Sequence, residues 1–221
     1  MLKCKILGVN GVDHAIRGMR NPMNSWNKSD SCWKDSELNP VYHDDFNDGV
    51  TAYSIGENDR DLMKKLFKGG TEHRKYLRMI QVYVDIEAPL YWWKEFDTYK
   101  IGTVCNSCST MHKIHSKEFT LDDFSHEHLS HGEYGNIEMM KCVINCLNIA
   151  REQFLETKDK GCWWQMIQLL PSSYNQKRTV MLNYEVVVNI IRQREHHKLD
   201  EWHQLIDAFR QLPMINTLLE S

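Results

Sequence analysis

Apolar residues recur at period two in two stretches. Residues 1–9 set Leu2, Cys4 and Ile6 against polar neighbours and predict an opening strand, which Gly11 breaks. Residues 77–87, LRMIQVYVDIE, alternate through Ile80, Val82, Val84 and Ile86, the pattern of a strand with one buried face. Elsewhere the period is helical. Val12 to Met19 predicts a short helix. Asn58 reads as the cap of a helix from Asp59 to Lys68 that Gly69-Gly70 closes, with Leu62, Met63, Leu66 and Phe67 on one face. Ala88-Pro89 ends the second strand, and Pro89 at the first helical position starts a helix to about Tyr99. Glu133 to Lys158 is the longest helical pattern. Gly161 to Leu170, Val180 to Arg194 and Asp200 to Leu212 follow, the last stopped at Pro213. Residues 100–132 carry five histidines and read as irregular. Residues 21–56 are rich in Asn, Asp, Ser, Gly and Pro, with isolated Trp26, Trp33 and Tyr42, and read as a long irregular excursion. The expected class is α+β: one domain over residues 1–221, helix-dominated, with a small, mostly antiparallel sheet.

Composition changes this picture little. Hydrophobic residues make up 42% and charged residues 26%, ordinary for a folded chain. A net charge of −3 gives no global electrostatic case for nucleic acid. No stretch reaches the roughly 20 apolar residues of a membrane span. The N-terminus lacks a signal-peptide layout, so a cytoplasmic location is expected. Seven scattered cysteines then read as reduced thiols, with Cys142 and Cys146 partly buried one helical turn apart.

The candidate chemistry concentrates in the last third, between Leu170-Pro171 and Trp202. Asn183, Asn189, Arg192 and Arg194 fall on one predicted helix. An Asn offers a donor and an acceptor, and an Arg a fixed fork of donors. Asn189 and Arg194 are rotated by about 140° from each other, so they can line two walls of one pocket. On residue type alone they could equally be a solvated helix face. The Trp92-Trp93 pair, with Tyr91 and Phe96, suits core packing or an aromatic wall. Cys105, Cys108, His112 and His115 have the ligand types of a zinc site, but only three residues separate the two pairs.

Two segments resemble the flavin-dependent thymidylate synthases (ThyX). The first is APLYWWKEFDTYKIGTVCNSCSTMHK, Ala88 to Lys113. Counted from Ala88-Pro89, the family signature RHRxxSxxxxSxR falls on Thr98-Tyr99-Lys100, Thr103, Cys108 (or Ser109 with one insertion) and Thr110. The second runs from Pro171 through Asn183 to Asn189 and Arg194 without a gap. His73 lies where the family has a histidine near the flavin, and AIRGMR, Ala15 to Arg20, weakly resembles an early Arg-containing helix. Ile167 stands four residues before Pro171, where the family has an Arg.

The resemblance implies a divergent flavoprotein that binds FAD and a pyrimidine nucleotide such as dUMP, for reductive methylation or a related base modification. Nicotinamide and methylene-folate co-substrates are implied as well, with a homotetramer whose flavin sites lie between subunits. Arg194 would be the catalytic Arg at the pyrimidine. His73, Lys94, Lys100 and Asn189 would hold the flavin, with Trp92 or Trp93 as its wall. Thr103, Cys108, Ser109, Thr110 and Arg178 would meet the substrate. Thr110 and Ile167 replace two phosphate-holding arginines, and neither can supply a charged fork. A non-catalytic binding or regulatory protein of the same fold stays open, as does a zinc-binding module.

Overall fold

The computed structural model describes residues 1–33, 53–132 and 135–221. Its strands are β1 (Lys3–Asn10), β2 (Cys32–Trp33), β3 (Tyr53–Ser54), β4 (Gln81–Pro89), β5 (Thr103–Ser107) and β6 (Asn175–Asn183). Its α-helices are α1 (Val12–Arg20), α2 (Glu57–Lys68), α3 (Leu90–Phe96), α4 (Asn136–Thr157), α5 (Lys160–Leu169), α6 (Tyr184–Arg194), α7 (Asp200–Arg210) and α8 (Ile215–Leu219). Four strands form one sheet in the order β1-β4-β6-β5, and β2 pairs antiparallel with β3, Cys32 opposite Ser54. The α+β class, with helices dominant, is as expected. Among the described residues no helix is long and apolar enough to cross a membrane.

The chain divides into two compact units. One holds residues 1–3, 86–98 and 106–178, and the other residues 4–85, 99–105 and 179–221. In the first, α3 buries Trp92, Trp93 and Phe96 completely or nearly so. Their rings lie 4.9–5.2 Å apart. The Trp93 indole donates to the Gln176 carbonyl at 2.9 Å, so its one polar atom is satisfied inside the core. Both tryptophans are therefore packing residues, and the expected flavin wall is corrected on that ground. Helices α4 and α5 pack together over Phe119, Phe124, Leu147 and Met166, with Ile167 against the same cluster. Asp159 caps α5 by accepting from the Gly161 N–H at 2.9 Å.

In the second unit α1 packs on the 3-10 turn Lys75–Met79, and α6 packs on α7. Gly11, at φ +83, lies so close to the Met79 carbonyl that a Cβ would sit 2.4 Å from its oxygen. The start of α2 is not capped by Asn58. The helix begins at Glu57, and the Asp30 carboxylate accepts from the N–H groups of Asn58 and Asp59 at 2.9 and 3.2 Å. A cap supplied from a distant loop does the work of a local one.

Several other expectations shift. Residues 175–183 are a strand, and the helix predicted from Val180 starts at Tyr184. Asn183 is its N-cap, accepting from the Val186 N–H at 3.1 Å. Pro89 closes β4 and stands at the N-cap of α3, which ends at Phe96. Within residues 100–132, Thr103–Ser107 form β5. Cys142 and Cys146 are exposed, because α4 turns Ile144 and Leu147 inward instead. None of the seven cysteines forms a disulfide, and burial pushes the Cys4 thiol up to about 12. Glu133, the expected helix start, and residues 34–52 of the expected excursion lie outside the described residues.

Candidate functional site

Helix α6 carries the strongest candidates, and its burial pattern is unusual. From Tyr184 to Ile191 every residue is buried except Asn189, which is half-buried. The apolar residues explain the helix: Val186, Val187, Val188, Ile190 and Ile191 bury on more than one side. The Asn189 side chain makes no hydrogen bond with any described group. A half-buried primary amide without a partner has donor and acceptor capacity in reserve.

Two polar ties hold other candidate segments to α6. Near its start, Arg74 donates from Nε and Nη2 to Glu185 Oε1 at 3.1 and 2.9 Å. Both side chains are almost fully covered, at 8% and 11% exposed. This pair fixes the segment carrying His73 against the first turn of α6. The His73 ring itself is exposed and lies over Gly69, where a Cβ would come within 3.0 Å of it. Arg74 and Arg192 both stack on the Phe67 ring, at 5.3 and 4.9 Å from its centroid.

At the other end, Arg194 Nε donates to the Tyr99 hydroxyl at 3.1 Å, and that hydroxyl donates to Gln193 Oε1 at 3.0 Å. The Arg194 guanidinium also lies 4.7 Å from the Trp202 ring centroid. Stacking plus one fixed donor sets the plane of the fork. The next residue in chain, Lys100, is exposed. Glu185, Asn189 and Arg194 thus mark the start, middle and end of a helix about 14 Å long over that span. Candidate segments are tied at both ends. Tyr99, Gln193 and Trp202 escaped the sequence reading, which treated Tyr99 only as a lost signature histidine.

Thr103, also in this unit, has a buried Oγ1 with no hydrogen-bond partner among the described residues. Gly102 beside it has φ +76, and a Cβ there would meet the Asn183 amide at 2.4 Å.

The candidates in the other unit are differently employed. Arg178 lies 4.1 Å over the Trp93 ring, donates to Gln176 Oε1 at 3.0 Å, and pairs with Asp97 at 2.7 Å. Gln176 in turn donates to the Cys108 carbonyl at 2.7 Å, and the Cys108 N–H donates to the Lys177 carbonyl at 2.9 Å. Ser109 accepts from the N–H groups of Met111 and His112, closing a turn. Thr110 is half-buried, while Cys108, Lys113 and Lys94 are exposed. Ile167 belongs to the apolar cluster and offers nothing to an anion. Among the described residues no three His, Cys, Asp or Glu side chains converge as metal ligands would.

No family model and no curated protein matches the chain. Solved structures do, and they define its class: the chain has the fold of the flavin-dependent thymidylate synthases. Thymidylate Synthase X (ThyX) from Helicobacter pylori, crystallised with FAD and dUMP, superposes over 99% of this chain and 97% of its own, with a TM-score of 0.67 and 17% identity. A second structure of the H. pylori enzyme, complexed with FAD and dUMP, gives 0.66 over 99% and 98%, again at 17% identity. At that identity the likeness is one of fold.

Proposed function

We propose that this protein is a divergent ThyX-like flavoprotein that binds FAD and a pyrimidine nucleotide such as dUMP, for reductive methylation or a related base modification. The observation that carries the reading is Asn189: the one half-buried, unpartnered amide in a run of buried residues on α6. The shared fold and the FAD and dUMP of the H. pylori crystals support it.

In this reading Asn189 would meet the flavin ring edge with its amide, and His73, Lys100 and Lys94 would be further flavin contacts on the resemblance. A bound flavin reduced by NADPH supplies hydride, with the carbon drawn from a methylene-folate. Arg194 is the catalytic residue. Tyr99 and Trp202 hold its guanidinium in one plane, aimed to stabilise charge developing on the pyrimidine. Thr103, with its unpartnered hydroxyl, and Cys108, Ser109, Thr110 and Arg178 are proposed substrate contacts. The protein works as a cytoplasmic homotetramer in this proposal.

A second reading rests on a specific observation. Ile167 sits in the apolar cluster and Thr110 bears no charge, so two cations expected for the nucleotide phosphate are replaced. A ThyX-fold binding or regulatory protein without catalysis would need neither.

The test is flavin itself. Purified protein should absorb near 450 nm and release FAD on denaturation. Asn189→Ala should weaken FAD binding about two- to tenfold, the loss of one hydrogen bond worth roughly 0.5–1.5 kcal/mol, with an unchanged melting curve. A colourless protein that takes up no added flavin would favour the non-catalytic reading.

A further inference from the structure

We infer a second binding site, on α1, for a flat aromatic or heteroaromatic anion. It is a cavity of about 420 Å³, within the range of small-molecule pockets. None of its lining residues belongs to the proposed flavin and nucleotide contacts, so the inference stands or falls apart from that reading.

The floor is built with unusual care. Asp59 is fully buried and accepts from Arg20 Nε at 2.5 Å. Its other oxygen accepts from the Ser29 and Ser31 hydroxyls at 2.6 and 2.7 Å, and from the Asp30 and Ser31 N–H groups at 3.2 and 3.1 Å. Burial alone would raise this carboxyl. The hydrogen bonds from Ser29, Ser31 and Arg20, with the charge of Arg20, carry it below the usual range. The result is a rigid base that stays charged.

Two features of the cavity then lack an internal explanation. Arg20, only 4% exposed, lines it and ends with Nη2 unsatisfied. A buried guanidinium donor without an acceptor is costly, and such orphans in native structures often mark an absent anion or water. Arg17 lines the same space and is exposed, and its guanidinium has no ion pair or hydrogen bond among the described residues. Asp13 also lines the space, 3.3 Å from the His14 ring. Arg20 is paired on one side with Asp59, so the cationic donors left for a ligand are its Nη2 and the Arg17 guanidinium.

The walls set the other half of the ligand. Trp26, Trp33 and Tyr53 line the cavity, and the two indoles are 45% and 58% exposed. Trp33 and Tyr53 meet edge-on at 5.1 Å, and Trp26 is oriented by its N–H donating to Asn21 at 2.8 Å. Exposed, oriented rings beside an unpaired arginine favour stacking of a planar ligand whose anionic group reaches Arg17 and Arg20.

The experiment is isothermal titration of the full chain with 1-naphthyl phosphate, 1-naphthoate, neutral 1-naphthalenemethanol and inorganic phosphate. Both aromatic anions should bind one per chain, at least tenfold more tightly than the neutral probe, and phosphate alone should not saturate. Arg17→Met should weaken the anions at least tenfold and leave the neutral probe unchanged. Trp33→Ala should weaken all three aromatic probes. Both replaced side chains are exposed, and circular dichroism checks their folding. A preference for naphthyl phosphate or for naphthoate identifies the anionic group and supports the site either way. Equal binding of neutral and anionic probes, saturable binding of phosphate alone, or anion binding indifferent to either variant would overturn it.

Discussion

The two segments that resemble ThyX are built on opposite principles. Helix α6 is buried from Tyr184 to Ile191 save for Asn189, so most of its side chains are fixed by packing. The signature segment, residues 98–113, is mostly exposed, with Ile101 at 92% and Val104 at 60%. Backbone pairing of β5 to β6 carries it, and its side-chain ties include those of Tyr99 and Ser109. The first segment can keep its pattern for structural reasons alone. The second is free to change with its ligand. Thr98, Cys108 and Thr110 can therefore change at little cost to the fold, which suits the substrate contacts proposed for Cys108 and Thr110.

The largest effect should come from the buried tie at the start of α6. Glu185→Ala strands the Arg74 guanidinium without its carboxylate. Breaking a buried pair from one side costs about 3–5 kcal/mol, and urea unfolding should register that loss. A change under about 1 kcal/mol would mean that α6 is held by its apolar residues alone, and the contrast between the segments would weaken.

Much of this was readable in the chain, and the failures are instructive. Strand β1 and helices α1, α2 and α5 were found because periodic burial leaves a periodic sequence. Strand β5 left no such trace, since Val104 to Ser107 are all exposed and Thr103 alone is half-buried. Strand β6 was absorbed into a helix because Val180 and Leu182 run straight into the apolar residues of α6, and only the cap at Asn183 separates them. Helix α8 restarts after Pro213 through Met214 at φ 64, a turn no residue preference announces. The same holds for the candidate site. Asn189 and Arg194 became candidates through their spacing from Pro171 in the resemblance. Tyr99 was not, because its partner Arg194 lies 95 residues away.

Gly102 is where the exposed segment should behave like the buried one. It is solvent-facing, yet it has φ +76 and lies against the Asn183 amide that caps α6. Gly102→Ala adds left-handed strain and forces that amide aside. The combined loss of conformation and cap should destabilise by about 1–3 kcal/mol. Thermal unfolding measures it, and Asn183→Ala, expected to cost about 1 kcal/mol, separates the cap from the strain.

The smallest effects on stability should come from the cations of the signature segment, and there the test moves to ligand. Lys100→Ala and Lys113→Ala remove exposed charges, and each should leave unfolding within about 0.5 kcal/mol of the parent. If the nucleotide phosphate is met by replacements for the two missing arginines, Lys113 has the better standing. It is exposed, while Arg178 is already committed to Asp97, Gln176 and the Trp93 ring. A phosphate would have to compete with the Asp97 carboxylate for Arg178, and the stacked guanidinium has little freedom to turn. Calorimetric titration of flavin-loaded protein should then show Lys113→Ala weakening dUMP while leaving deoxyuridine unchanged. Arg178→Ala should weaken both ligands alike, through the packing it removes beneath the Cys108 turn. Deoxyuridine and dUMP binding equally well to the parent would mean that no cation of this segment holds a phosphate. The altered signature would then belong to a ligand that carries none at that position.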